Sequence, residues 1–154
     1  MRKCILIFMM IFIANNSFAQ DLQYNLENPT ERIELPKKLN EISGLDLFSD
    51  SVLVAVQDEK ANVYFLSVTT GEITDCFNFG KDGDFEGIAH YKKHFYALRS
   101  DGKLYKVEQN KEVKTYDFKN SKNFDFEGLC LDKLNNRLLV ACKEHGDKDE
   151  RDYF

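Results

Sequence analysis

Apolar and polar residues alternate with a period of two along most of this chain, and no stretch sustains a 3.6-residue period for three turns. "SVLVAVQ" at 51–57 and "ANVYFLSV" at 61–68 predict two apolar strands. "EITDCFNF" at 72–79 predicts a third, with Ile73, Asp75, Phe77 and Phe79 on one face and Thr70-Gly71 as the turn before it. The same plan returns as "FEGIAHY" at 85–91, "HFYALRS" at 94–100, "KLYKVEQ" at 103–109 and "EVKTYDF" at 112–118. Asp101-Gly102 between two of these strands predicts a two-residue type I′ hairpin. A third series has "FEGLCLD" at 126–132, a turn near Asn135-Asn136, and "RLLVACK" at 137–143. "ERIELP" at 31–36 reads as one more strand ahead of the first series.

The series are copies of one another. "GDFEGIAHY" at 83–91 and "FDFEGLCLD" at 124–132 begin 41 residues apart, and a weaker copy, "NEISGLDLF", begins 43 residues earlier at 40. Four short strands recurring at this period predict an all-β chain of β-propeller blades. The blades run over about 40–80, 83–119 and 124–154, the last incomplete, so about two and a half four-stranded blades are present. Gly44, Gly87 and Gly128 then open the innermost strands, where blades crowd the axis and a side chain would clash. Ser43 and Ala89 fit the same demand for small residues.

Residues 1–19 change the compartment. Arg2 and Lys3 precede an apolar run from Cys4 to Ala14, and Ser17-Phe18-Ala19 supplies small residues before a cut at Gln20. This predicts a signal peptide over 1–19, a leader over 20–31, and a propeller portion over 32–154 that is exported to the periplasm, cell surface or medium without a membrane span. Losing Arg2 and Lys3 takes the net charge from −5 to −7, and with no basic cluster the chain lacks the footprint for nucleic acid. Cys76, Cys130 and Cys142 remain, each among strand-forming apolar residues, and read as buried thiols; a Cys130–Cys142 disulfide across the turn is the alternative. No CxxC or Cys/His spacing supports zinc.

The repeats also carry acids. Asp84, Glu86, Asp125, Glu127 and Glu41 sit at strand entrances, where successive blades bring them toward the channel mouth. Converging carboxylates repel unless a cation neutralises them, which makes them candidate ligands for Ca²⁺. The competing reading is structural: the carboxylates accept backbone N–H groups and tie one blade to the next. "QDEK", "RSDG" and "KEHG" end the second strands, bringing Asp58, Glu59, Arg99, Asp101, Glu144 and His145 to the same rim as candidate ligand-binding residues. No G-x-S-x-G, Cys–His pair or phosphate-binding glycine loop appears, and Ser43 beside Gly44 is better explained by tight packing.

"NEISGLDL", "VQDEKANVYFLSVTTGEI", "GDFEGIA", "LRSDGKLYKV" and "DFEGLCLD" together resemble the SdiA-regulated family of exported bacterial β-propeller proteins, from about Ile33 to His145. The resemblance implies six blades, related in shape to calcium-binding lactonases and phytase-like esterases. The expected function is a binding module for an unknown small molecule or protein. A calcium-dependent hydrolase of lactonase or phosphoesterase type using the channel-mouth carboxylates is the alternative. Because the third unit stops inside a blade, a truncated product of a longer gene is expected ahead of self-association through exposed blade edges.

Overall fold

The computed structural model describes residues 27–118 and 124–145. The chain divides after Arg32 into two units. The described residues of the first, 27–32, hold no helix or strand. The predicted signal peptide, most of the leader, and Tyr153-Phe154 lie outside the described residues.

In the second unit a short 3-10 helix, Lys37–Leu39, leads into two four-stranded antiparallel meanders. The first sheet runs β1 (Ile42–Ser49), β2 (Val52–Gln57), β3 (Asn62–Ser67) and β4 (Ile73–Asn78). The second runs β5 (Phe85–Tyr91), β6 (His94–Arg99), β7 (Lys103–Glu108) and β8 (Val113–Asp117). A hairpin of β9 (Phe124–Asp132) and β10 (Arg137–His145) follows. Sequential strands are neighbours throughout, the order a blade requires.

The cores lie between sheets. Val54, Val56 and Val63 of the first sheet pack with Phe85, Ile88, Phe95, Ala97 and Val107 of the second. Leu98 and Leu104 of the second pack with Phe126, Val140 and Cys142 of the third. Alternation explains both: in β6, Phe95 and Ala97 face backward to the first sheet while Leu98 faces forward. The backward face of the first sheet carries Ala55, Tyr64 and Leu66, which Leu39 of the 3-10 helix covers.

The glycines stand where crowding predicted them. A Cβ on Gly44 would come within 2.7 Å of the Ile88 nitrogen and 2.8 Å of the Gly87 Cα, so β1 and β5 touch backbone to backbone. A Cβ on Gly87 would meet the Leu129 Cβ at 2.8 Å. Thus β1, β5 and β9 are the inner strands.

Several expectations need correction. "ERIELP" forms no strand; it lies beside no ladder partner among the described residues, and its Ile33 and Leu35 side chains instead close on Gly71, where φ is +70°. The Asp101-Gly102 hairpin is not type I′, since Gly102 (φ +81°) but not Asp101 takes the left-handed conformation. Ser100 to Gly102 form a three-residue loop, with the Gly102 N–H donating to the Arg99 carbonyl at 2.9 Å. Cys76 and Cys130 are exposed and only Cys142 is buried; none of the three forms a disulfide. In the β9–β10 ladder Cys142 lies opposite Phe126 and Cys130 opposite Leu139. Four residues of strand, about 13 Å, therefore separate the two thiols' rungs, beyond the reach of a disulfide.

Candidate functional site at the inner-strand entrances

Counting back from the three axial glycines aligns the acids. Glu41, Asp84 and Asp125 stand three residues before the glycine; Ser43, Glu86 and Glu127 stand one before. The backbone repeats with them. The Asp58 N–H donates to the Glu41 carbonyl at 3.1 Å, and the Ser100 N–H donates to the Asp84 carbonyl at 2.9 Å. The next blade then hooks on: the Phe85 N–H donates to the Asp58 carbonyl at 2.7 Å, and the Phe126 N–H to the Ser100 carbonyl at 3.0 Å.

Blades are therefore tied at this rim by main-chain carbonyls, which leaves the side chains of Asp84, Glu86, Asp125 and Glu127 free of that duty. A carboxylate that does tie blades is Asp46, whose Oδ2 accepts the His90 N–H at 2.6 Å. Ser43 is more than a small packing residue: its hydroxyl donates to the Phe85 carbonyl at 2.6 Å across the same seam.

Four predicted acids come together. The Glu86 carboxyl is pushed up to about 7, first by partial burial, then by the charge of Asp84, its hydrogen bond with Asp84, and the charges of Glu127 and Asp125. Opposite, the Lys143 ammonium lies 2.6 Å from Glu127 Oε1 and 3.7 Å from Asp125 Oδ2. Sequence reasoning passed over Lys143, although it occupies the second-strand position held by Asp58 and Ser100 in the earlier blades. No three His, Cys, Asp or Glu side chains among the described residues are placed to hold one metal ion; Lys143 engages two of the acids.

The sign of the Glu86 shift fixes its pH dependence. Folding raises its proton affinity above the unfolded value near 4.5, so its deprotonation destabilises the fold. The penalty is absent below pH 4.5, grows between 4.5 and about 7, and is full above. Glu86→Gln is expected to stabilise the protein at pH 8 by about 1–2 kcal/mol, discounted for the solvent that screens a half-exposed group, with no gain at pH 4. Urea unfolding at the two pH values measures it; equal effects at both would rule out the raised pKa.

The remaining candidates spread along the rim. Asp58, Glu59 and Asp84 line a cleft of about 420 Å³ with Lys60, Asp82 and Gly83. Lys60 Nζ bonds Asp82 Oδ2 at 2.7 Å, and the buried Oδ1 of Asp58 has no hydrogen-bond partner. Glu41 lines an adjoining cleft of about 440 Å³ with Lys37, Lys38, Gln57 and Tyr64, which shares Glu59 and Lys60 with the first. Arg99 and Asp101 are held by each other in a two-pronged ion pair, which lowers the Asp101 pKa and raises that of Arg99. Glu144 and His145 lie opposite Asp125 and Phe124 in the ladder, and their side chains are outside the described set.

A model of the SdiA-regulated family matches residues 16–148. Among solved structures the chain is similar to virginiamycin B lyase from Staphylococcus aureus, a β-propeller, with 12% identity and a TM-score of 0.53. That match covers 79% of this chain and 43% of the lyase, so the chain spans less than half the length of that propeller. A computationally designed protein, Ika8, aligns at 13% identity and a TM-score of 0.44 over 66% of this chain and 29% of its own. No curated protein sequence matches.

Proposed function

The chain belongs to the SdiA-regulated family, and from that premise we propose that it is an exported propeller module that binds a cationic ligand group at the inner-strand entrances. The convergence of Asp84, Glu86, Asp125 and Glu127, opposed among the described residues by the ammonium of Lys143, carries this reading. Such a rim has negative charge to spare, and an incoming amine can replace Lys143. Charge-assisted bonds to carboxylates contribute about 1.5–3 kcal/mol each. Export is supported by the basic, apolar and small-residue order of 1–19.

Titration calorimetry with 1,4-diaminobutane, and with succinate as the charge-reversed control, tests the reading. Heat from the diamine alone, weakened about tenfold or more by Asp125→Asn, is the expected result. No heat at millimolar diamine, or equal heat from succinate, would refute it. The hydrolase alternative puts Ca²⁺ at the same carboxylates to polarise a substrate oxygen. It is the less supported reading, because Ca²⁺ needs six to eight oxygens and would have to displace Lys143. Calcium titrated into the same cell, with Glu127→Gln alongside, separates the two.

A further inference from the structure

The second sheet shows what group fits a cleft of the first. Their registers superpose when Gly44 is set on Gly87. Ile42 pairs with Gln57 as Phe85 pairs with Arg99, and Ala55 pairs with Tyr64 as Ala97 pairs with Tyr105. Gln57 therefore holds the place of Arg99, Glu59 that of Asp101, Tyr64 that of Tyr105 and Asn40 that of Gly83. In the second sheet the other three residues surround the Arg99 guanidinium. Its Nε donates to Asp101 Oδ1 at 2.8 Å, Nη2 donates to Oδ2, and Nη1 reaches the Tyr105 hydroxyl at 3.4 Å, while the side chain passes over Gly83. In the first sheet the same four positions line the cleft of about 440 Å³. Gln57, two atoms shorter than an arginine and 6% exposed, turns its Oε1 to the Lys60 N–H at 2.5 Å. Among the described residues no side chain gives a hydrogen bond or ion pair to the Glu59 or Glu41 carboxylate. The Tyr64 hydroxyl accepts from Asn62 Nδ2 at 3.1 Å and keeps a second lone pair.

We propose that the cleft bounded by Glu41, Gln57, Glu59 and Tyr64 receives a guanidinium group from a ligand, in the place the next repeat gives to Arg99. A guanidinium presents a planar fork of donors that matches a carboxylate in two parallel bonds, as Arg99 matches Asp101. The position belongs to the rim. At the same place in the second sheet, with the first sheet packed behind it, the Arg99 and Asp101 side chains stay 22% and 52% exposed. The cleft's lysines do not oppose a cation there. Lys60 is held by Asp82 at 2.7 Å, and Lys38 recurs as Lys81 in the repeat that contains Arg99. This site is additional to the acid cluster of Asp84, Glu86, Asp125 and Glu127 and does not rest on it.

Amide nitrogen–proton correlation spectra, recorded while methylguanidinium is added to about 10 mM, suit the weak binding of so small a ligand and test the site. Saturating shifts at Gln57, Glu59 and Lys60 are expected, with none from methylurea, which has nearly the same shape and no charge. Glu59→Gln is expected to weaken binding about tenfold or more. Gln57→Arg is expected to abolish it, because the introduced guanidinium takes the ligand's place against Glu59. Should that buried substitution fail to give a folded spectrum, Glu59→Gln, at an exposed residue, decides alone. No shift at these amides, equal shifts from methylurea, or an affinity unchanged by Glu59→Gln overturns the proposal. Shifts at Glu86 and Glu127 in their stead would assign the ligand to the acid cluster and overturn it too. L-arginine and N-acetyl-arginine amide, titrated in the same way, separate a free amino acid from an arginine within a peptide; the tighter binder names the source.

Discussion

Phe85→Ala is expected to remove about 3–5 kcal/mol of stability, enough to unfold a marginal domain. Phe85 is fully buried, with its ring edge-on to Phe79 at 5.2 Å and Tyr105 at 5.5 Å. It therefore plugs the seam between the first two sheets, directly beneath the point where its own N–H hooks the Asp58 carbonyl. Truncation leaves a cavity walled by two other rings and by β-strands held in ladders on both sides, so little collapse can fill it. Tyr116→Ala, at a half-exposed ring on β8, is the control and is expected to change stability by less than about 0.5 kcal/mol. Urea midpoints read both. A Phe85→Ala loss below 1 kcal/mol would mean that the two sheets do not share a core.

The second large effect belongs to Gly44→Val, at about 3 kcal/mol, the upper end for overpacking. Its φ is not left-handed, so conformation contributes nothing. The cost is space: the new Cβ would lie 2.7 Å from the Ile88 nitrogen and under 3 Å from two Gly87 backbone atoms. A side chain in the way could swing aside; a strand backbone can yield only if β1 and β5 separate. Gly87→Val should cost somewhat less, because one atom, the Leu129 Cβ at 2.8 Å, crowds it where three backbone atoms at 2.7–2.9 Å crowd Gly44, although no rotamer change moves that Cβ either. Comparison of the two melting temperatures checks the order. A Gly44 variant as stable as the parent would remove β1 and β5 from contact.

These two residues and their neighbours explain why Asp-Phe-Glu-Gly recurs. Phe85 and Phe126 fill the seams, Gly87 lets the next inner strand approach, and the acids between them face the rim. The period of two and the repeat of about 42 residues made the strands, their order and the axial glycines legible from the chain alone. Both signals are local, because a strand's face and a repeat's spacing are written in consecutive residues.

The site was legible in part. Asp84, Glu86, Asp125 and Glu127 were identified from the repeat and do converge. Glu41 was grouped with them by type and lines the adjoining cleft, while Ser43 holds the position that Glu86 and Glu127 occupy. Lys143 was invisible because its partner Glu127 is sixteen residues away across a hairpin, and only the β9–β10 register brings them together. Asp46 was passed over for the same reason: its hydrogen bond spans 44 residues, from one blade to the next.

The sequence by itself determined which residues form strands, which strands make a blade, and where no side chain can stand. Only the tertiary structure decided that main-chain carbonyls tie the blades, that Lys143 engages Asp125 and Glu127, and that Cys130 and Cys142 cannot meet. Alternation and repetition are properties of neighbouring residues; pairing of charges and thiols depends on register between strands, and a slip of one residue there turns every side chain to the opposite face.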